Sequence, residues 1–512
     1  MRRVVPVLAA AVLLAGPTVI AFFSGGYFDG PRAAATTLAW ALVLLLAVAG
    51  PVPLPATTAG RVAAAALAGL AVWTAVSVAW APVIGPAFDS AHRVLLYLGV
   101  LLAATAVLRD RSLARAVEPA LAGGALVVIV YGLSGRLLPG LVELNRSFVA
   151  GGRLEQPLTY WNAEGLLAAM GLVLCVRLVG DPTRSANLRA AAAAACAPLG
   201  AGVYLSYSRG AVVVAALGLI FLLAAVPTRP QLRAALAGLA AAVVASAVSA
   251  AFRGVAALEG SDGAQERDGA IVLVLMLGLM LLAALLTRRA AAVEATQQDR
   301  LGRVAFASRF PALAKAATVL CVVGLIAGGL VETAGRRSES AEAKPSRFVT
   351  VSSLRYEYWG VGADAFLDEP LSGNGAGSFR VIWRQERDVA AGAVEVHSLA
   401  LEMATELGIP GLLLLGLFVG GVAVAGRRAL QADAPLAPAA CAVCGMWLTH
   451  ALIDWDWQMP AVTLPALVLA GALLAEAERA QRGVSRQRSS SPTTRTPSIA
   501  VSFLPASDGR AL

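Results

Sequence analysis

The sequence predicts an all-α integral membrane protein that crosses the bilayer about 14 times, within a range of about 12–14. Of its 512 residues, 58% are hydrophobic and only 14% are charged, and the mean hydropathy is +0.72. That composition is too apolar for an ordinary soluble protein. Apolar runs recur along the chain, each with the ~20 residues that a helix needs to cross a bilayer. One long polar segment interrupts this pattern at 332–396, and we expect it to form an external loop with interfacial helices.

The individual spans follow from the apolar runs. The first run is long and has no clear small-residue cleavage site after Met1-Arg2-Arg3, so we interpret it as a retained anchor. The predicted spans cover residues 4–23, 34–54, 62–84, 91–108, 115–134, 160–180, 187–206, 210–226, 232–252, 269–287, 311–331, 408–425, 436–453 and 459–477.

The arginines between the spans predict the orientation of the protein. They concentrate in alternate connections, such as 109–115, 288–309 and 427–428. Cytoplasmic loops carry such an excess, so we expect both termini in the cytoplasm and residues 332–396 outside, in the cell membrane of a bacterium. The net charge of +9 is thereby assigned to topology and lipid head groups and not to nucleic acid.

Three regions are expected from these patterns. Residues 1–150 form amino-terminal transmembrane helices, 151–477 form the functional membrane region, and 478–512 form a disordered cytoplasmic tail rich in Arg, Ser, Thr and Pro. All five cysteines lie in apolar runs, so we interpret them as small buried residues. Cys441 and Cys444 form a C-x-x-C pair, but no second pair at metal-ligand spacing accompanies it.

The stretch from His397 to Gly411 is the first candidate site. His397 is one of only three histidines, and the helical pattern that follows it places Glu402 and Glu406 on one face before Gly408 interrupts it. An apolar run then enters the bilayer, so His397 is predicted close to the membrane surface. The alternative is an ordinary junction of loop and helix with a solvated histidine.

Arg209 is the second candidate, within Tyr207-Ser208-Arg209-Gly210, where two spans meet almost without a loop. An arginine at that depth is costly unless it pairs with an anion, and its planar fork suits phosphate oxygens. The alternative is an arginine that extends to the interface.

Arg355 belongs to a third candidate, an amphipathic helix in the external loop. Tyr356, Trp359, Ala363 and Phe366 recur at helical spacing, which predicts an aromatic stripe lying on the membrane surface. The helix would hold Arg355 and Trp359 above the spans. The stripe is equally expected for plain packing.

A fourth polar and aromatic segment contains Arg153, Tyr160 and Asn162 at the start of a span. Aromatic faces stack on sugars and amides hydrogen-bond to them, so this segment suits contact with a glycan or a head group. An interfacial aromatic belt explains the same residues.

These motifs resemble, in their order, those of the O-antigen ligase and polymerase superfamily of bacterial envelope proteins. The resemblance covers mainly residues 150–470, with Ser398 where the family usually has asparagine and with more spans than the usual dozen or so. The acidic turn Asp454-Trp455-Asp456 also fits. The matching elements are Ser208-Arg209-Gly210, Arg355 followed by Trp359, Gly373-x-Gly375-x-Gly377-x-Phe379, and His397-x-x-x-Leu401-x-x-x-x-Glu406-x-Gly408-x-Pro410-Gly411.

The resemblance implies a glycosyltransferase that moves a glycan from an undecaprenyl-diphosphate carrier to an acceptor on the outer face, without a metal or other cofactor. Arg209 and Arg355 would hold the diphosphate, and His397 would act as base or orient the acceptor. The acceptor is a glycan, a lipid or a protein, and membrane lipids are further partners. The expected substrate contacts are Arg153, Tyr160, Asn162, Tyr207, Ser208, Trp359, Glu402 and Glu406.

Three alternatives remain open. A polysaccharide polymerase of the same superfamily shares the donor chemistry and differs in its acceptor. A lipid or glycan transporter would contain internal repeats and broken helices with charges at the middle of the membrane, and the sequence has no convincing repeat. A catalytically idle scaffold would leave the arginines dispensable.

Overall fold

The structure is a computed structural model that describes residues 4–296 and 354–490. Within these two ranges the chain forms helices and no β-strand, which confirms the predicted all-α class. The predicted span at 311–331, the first part of the external loop and residues 491–512 lie outside the described residues.

The described ranges contain fifteen helices of eight or more residues, and shorter helical turns are not numbered. They are α1 (Val4–Ala21), α2 (Asp29–Ala49), α3 (Thr58–Val76), α4 (Ile84–Val107), α5 (Val117–Leu137), α6 (Trp161–Gly180), α7 (Ala186–Leu205), α8 (Arg209–Ala225), α9 (Arg229–Ala251), α10 (Asp262–Thr296), α11 (Arg355–Asp368), α12 (Phe379–Glu386), α13 (Leu399–Gln431), α14 (Ala437–Ala451) and α15 (Pro460–Ser490).

The described residues contain 11 helical segments long and apolar enough to cross a membrane. These are α1–α7, α9, α10, α13 and α15, with α3 and α5 extended by adjoining turns. The shorter apolar helices α8 and α14 coincide with the predicted spans 210–226 and 436–453. The chain is therefore a polytopic helical membrane protein, while the predicted count of 14 is not confirmed.

Helices α4, α6 and α15 form the centre of the bundle. The apolar windows of these three helices are 89%, 100% and 94% buried, whereas that of α10 is only 17% buried. Small residues bring the helices close together, as at Gly200, where a Cβ atom would lie 2.4 Å from Ala242 Cβ. Close backbone approach of this kind is the usual basis of helix packing in membranes.

Above one end of the bundle, α11, α12 and the segment between them form an outer layer. Gly373, Gly375 and Gly377 all have positive φ, and a Cβ at Gly375 would lie 2.5 Å from Ala81 Cα. The Ala376 N–H donates to Ser77 Oγ at 3.1 Å. The glycine-rich segment is thus fixed against the end of α3.

Helix α11 forms as predicted, but its buried face differs from the predicted aromatic stripe. The buried residues are Tyr358, Gly362 and Ala365, while Tyr356, Trp359, Ala363 and Phe366 are partly exposed. The reason is Gly362, whose carbonyl accepts a hydrogen bond from Thr405 Oγ1 at 2.8 Å and thereby draws α13 onto this face. The spacing of hydrophobic residues does not predict this contact between Gly362 on α11 and Thr405 on α13.

The start of α13 also differs from the prediction. The helix begins at Leu399, and Ser398 caps it by accepting a hydrogen bond from the Leu401 N–H. His397 precedes the helix with a φ of 57°, a left-handed conformation that is uncommon for a residue other than glycine. Gly408 interrupts the helix with φ 65° and ψ −160°, so the predicted interruption is confirmed.

Candidate functional site

His397 is held in one orientation by its neighbours. Its Nδ1 atom lies 2.8 Å from the Glu395 carbonyl oxygen. A carbonyl can only accept, so Nδ1 carries the hydrogen and Nε2 is the acceptor in the neutral ring. The Trp359 indole donates to the His397 carbonyl at 3.3 Å, and the Tyr358 ring lies 5.1 Å away.

The surroundings of His397 favour its neutral form. Burial lowers the pKa of His397 to about 4, with Asp454 raising this pKa and Arg355 lowering it further. Desolvation disfavours the imidazolium cation, which explains the direction. At neutral pH, His397 therefore presents a lone pair on Nε2.

Arg355 forms an ion pair with Asp454. Arg355 Nη2 lies 2.5 Å from Asp454 Oδ2, and the aspartate side chain is only 1% exposed. Tyr160 Oη donates to Asp454 Oδ1 at 2.6 Å, and Asn162 Nδ2 donates to Oδ2 at 2.8 Å. Burial raises the pKa of Asp454, but the charge of Arg355 together with the neighbouring histidines and the Tyr160 hydrogen bond holds this pKa below its usual value. The carboxylate thus fixes the position of the arginine.

Arg209 begins α8, on a turn that approaches the same aspartate segment. Ser208 caps α8 by accepting a hydrogen bond from the Ala211 N–H at 3.2 Å. A Cβ atom at Gly210 would lie 2.8 Å from His450 Nε2, so only glycine fits beside this ring. His450 Nδ1 is in turn 2.6 Å from Asp456 Oδ2.

The three predicted catalytic residues therefore belong to one face of the bundle. The turn that holds Asp454 and Asp456 bonds to Arg355 on one side and, through His450, contacts the Arg209–Gly210 turn on the other. The Trp455 ring of this turn lies 6.2 Å from the His397 ring. Whether the three residues act on a substrate stays a prediction.

The predicted substrate residues fall into two groups. In the first group, Tyr160 and Asn162 donate hydrogen bonds to Asp454, and Trp359 donates one to the His397 carbonyl. Arg153 instead lies over the Trp161 ring at 3.5 Å and donates to the Ala150 carbonyl at 2.6 Å, within its own loop. Ser208 and Tyr207 belong to the same second group as Arg153, because they contact neighbouring backbone. Ser208 caps α8, and Tyr207 donates to the Ala256 carbonyl at 3.3 Å.

Glu402 and Glu406 are buried beneath the outer layer. Gln458 Nε2 donates to Glu402 at 2.8 Å, and Arg93 Nη2 lies 3.7 Å from the same carboxylate. Glu406 accepts hydrogen bonds from the Gly377 and Phe379 N–H groups at 2.7 and 3.4 Å. These contacts give Glu406 a structural role, since it fixes the glycine-rich segment at the start of α12.

Several residues that contribute to the site are absent from the sequence prediction. The sequence prediction includes Asp454 only as part of an acidic turn. It omits His450 and Arg93, which lie within apolar runs. Ionisable residues within apolar runs are functional candidates by default, and that signal identifies both. Glu395 has no such signal, because its importance lies in the carbonyl that orients His397.

Among the described side chains, no three or more His, Cys, Asp or Glu residues lie close enough to share a metal ion. The described site contains the Arg355–Asp454 ion pair, the contact between Arg93 and Glu402, and the histidines His397 and His450. Such a centre can bind an anion through guanidinium groups and accept a proton at His397 Nε2.

The fold and the site define a class of protein: a polytopic helical membrane protein in which the Arg355–Asp454 pair, the Arg209–Gly210 turn and a neutral histidine lie at one end of the helix bundle. A family model described as O-Antigen ligase matches residues 192–416, which include Arg209, Arg355 and His397. This match supports assignment of the chain to the O-antigen ligase and polymerase superfamily. No curated protein matches the chain significantly.

Proposed function

We propose that the protein is a glycosyltransferase that moves a glycan from an undecaprenyl-diphosphate carrier to an acceptor, without a metal ion. The match to the O-Antigen ligase family model supports an enzyme that uses a lipid-linked glycan. The observation that carries the finer proposal is the joint placement of His397, the Arg355–Asp454 pair and the Arg209–Gly210 turn.

In the proposed reaction, the bond between the sugar and the carrier diphosphate breaks, and a new glycosidic bond forms to an acceptor hydroxyl. The lipid diphosphate leaves with additional negative charge, which Arg209 and Arg355 stabilise. Asp454 keeps Arg355 in position, so little reorganisation is needed as that charge develops. The hydroxyl proton passes to His397 Nε2.

The low pKa of His397 fits a role that changes during the reaction. At a pKa of about 4, the free protein holds a neutral ring that accepts a hydrogen bond from the acceptor hydroxyl. A diphosphate bound beside the ring adds negative charge, which favours the imidazolium form and raises the pKa. The histidine then becomes a better base when the donor is present.

Ligase and polymerase functions differ only in the acceptor within this scheme. We assign the acceptor to the outer face of the cytoplasmic membrane, with both termini in the cytoplasm, on the strength of the arginine distribution. Single cysteines at Ser340 and Ser489, in a chain without other cysteines, test this orientation with an impermeant reagent in intact cells. Labelling at Ser340 alone is expected, and labelling at Ser489 alone contradicts the orientation.

Reconstitution tests the proposed function directly. The purified protein is placed in vesicles with a glycan linked to undecaprenyl diphosphate and with candidate acceptors, and both products are analysed by mass spectrometry. We expect the glycan on an acceptor and free lipid diphosphate, with turnover unchanged by EDTA. Movement of intact donor across the bilayer without its consumption would instead indicate a transporter.

A further inference from the structure

An apolar groove lies between α8, α13, α14 and α15, on the far side of the bundle from the candidate site. Its volume is about 330 Å³. The site is next to the first turn of α13, whereas Arg427 in the last turns of α13 borders the groove. Its apolar walls include Phe221, Phe418, Val422, Leu467 and Leu473.

The dimensions of the groove match one leaflet. Along α13 it extends from Phe418 to Leu430, which corresponds to ~18 Å at the helical rise of about 1.5 Å per residue. Half of a hydrocarbon core of about 30 Å is ~15 Å. A single acyl chain therefore fits this length.

The charge at the end of the groove indicates the head group. Arg427 and its neighbour Arg428 are exposed at this end of α13, where the apolar helix meets the interface. Arginines at a membrane surface attract anionic lipids. The other lining residues of the groove are apolar or small, with Cys441 and Cys444 on the wall that α14 contributes.

We propose that this groove binds one acyl chain of an anionic phospholipid from the leaflet opposite the candidate site, with Arg427 contacting its head group. The C-x-x-C pair then serves as part of an apolar wall, since residues three apart share one helix face. This inference is independent of the proposed function, because it requires only that the protein spans a membrane.

Gly445 offers a substitution that fills the groove. It lines the groove on α14, and a Cβ atom there would meet no other atom within 4 Å. Gly420 on α13 is a matched control, since its Cβ would also meet nothing within 4 Å and it does not border the groove. Gly445→Phe blocks the proposed site, whereas Gly420→Phe adds the same side chain elsewhere.

The experiment uses the full-length protein in vesicles that contain phosphatidylglycerol with a photoactivatable acyl chain, followed by peptide mapping. We expect labelling of 418–430 and 441–448, reduced to background by Gly445→Phe and unchanged by Gly420→Phe. Arg427→Gln should lower labelling by phosphatidylglycerol about fivefold and leave labelling by phosphatidylcholine unchanged.

Other outcomes overturn the proposal. Equal labelling of all lipid-facing helices would indicate ordinary contact with bulk lipid. Crosslinks between two copies through α13 and α14 would assign the groove to a dimer interface. Strong labelling by a photoactivatable undecaprenyl-diphosphate donor, abolished by Gly445→Phe, would assign it to the donor tail. Should Gly445→Phe fold poorly, Arg427→Gln and the two lipids still decide the question.

Discussion

Replacing Asp454 by asparagine tests the claim that this buried carboxylate positions Arg355. The aspartate accepts four hydrogen bonds, from Tyr160, Asn162, Arg355 and the Trp455 N–H. Asparagine keeps one oxygen, which can still accept from Tyr160 and Trp455. Its amide group then faces two donors, Arg355 and Asn162, so both of these contacts become unfavourable.

The expected loss of stability lies near the lower end of the range for a broken buried ion pair, about 3 kcal/mol. The reason is that the Arg355 side chain is 25% exposed and can turn toward water. Loss of a fixed charged group at a developing anion should add a catalytic defect of about a hundredfold in turnover. Transfer should therefore fall far more than the folded fraction does.

The assay measures the thermal midpoint of the purified protein and its rate of glycan transfer. Glu357→Gln is the matched control, because it removes an exposed carboxylate from the helix that holds Arg355 and should change neither. In the double variant Asp454→Asn/Arg355→Gln, stability should recover while transfer remains lost. Near-normal transfer by a folded Asp454→Asn variant would refute the positioning role.

Three further predictions concern the segment around α13. Gly408→Ala should destabilise the protein by about 1–3 kcal/mol in a thermal unfolding assay, because a positive φ and three backbone atoms at 2.8 Å exclude a Cβ. The control is Gly416→Ala, which lies in open space on the same helix. In the same assay it should be neutral or stabilising by up to about 1 kcal/mol. Glu406→Gln should cost about 1.5–3 kcal/mol through its weakened bonds to Gly377 and Phe379. Limited proteolysis should then cut the glycine-rich segment faster, and unchanged cleavage would argue against this role. Because neutral His397 is the active form and its pKa is about 4, kcat/KM should be flat from pH 6 to 8 and fall only as the pH drops toward about 4. A pH–rate profile that halves near 6.5 would show that His397 is not desolvated.

The sequence was sufficient for the helices because apolar length alone determines where a chain can cross a bilayer. Thirteen of the predicted spans coincide with described helices, including α8 and α14, which are short. The start of α13 was misplaced, since the helical pattern continues back to His397 and only the Ser398 cap marks the boundary. Caps and left-handed residues leave little trace in hydrophobic periodicity.

The sequence predicts only part of the site, because the remaining part depends on contacts between residues that are far apart in the chain. His397, Arg209 and Arg355 could be identified from the sequence, because polar residues at membrane edges are energetically costly and are therefore functional candidates. Asp454, which pairs with Arg355, and His450, which lies beside the Arg209–Gly210 turn, are about a hundred or more positions away in sequence, and nothing in local spacing predicts these contacts. Glu406 was assigned to substrate because a carboxylate on a helix face has the same pattern whether it binds a ligand or caps a neighbouring segment.

The most direct test of the central claim compares donor binding with transfer in the purified variants Arg209→Lys, Arg355→Lys and His397→Ala. The proposed mechanism predicts that each variant folds, binds the lipid-linked donor within a few-fold of the original protein, and loses turnover by roughly a hundred- to a thousandfold. Lysine should rescue poorly, because a point charge replaces a bidentate fork. Near-normal transfer by His397→Ala or by either lysine variant would contradict the claim that these residues form one reaction centre.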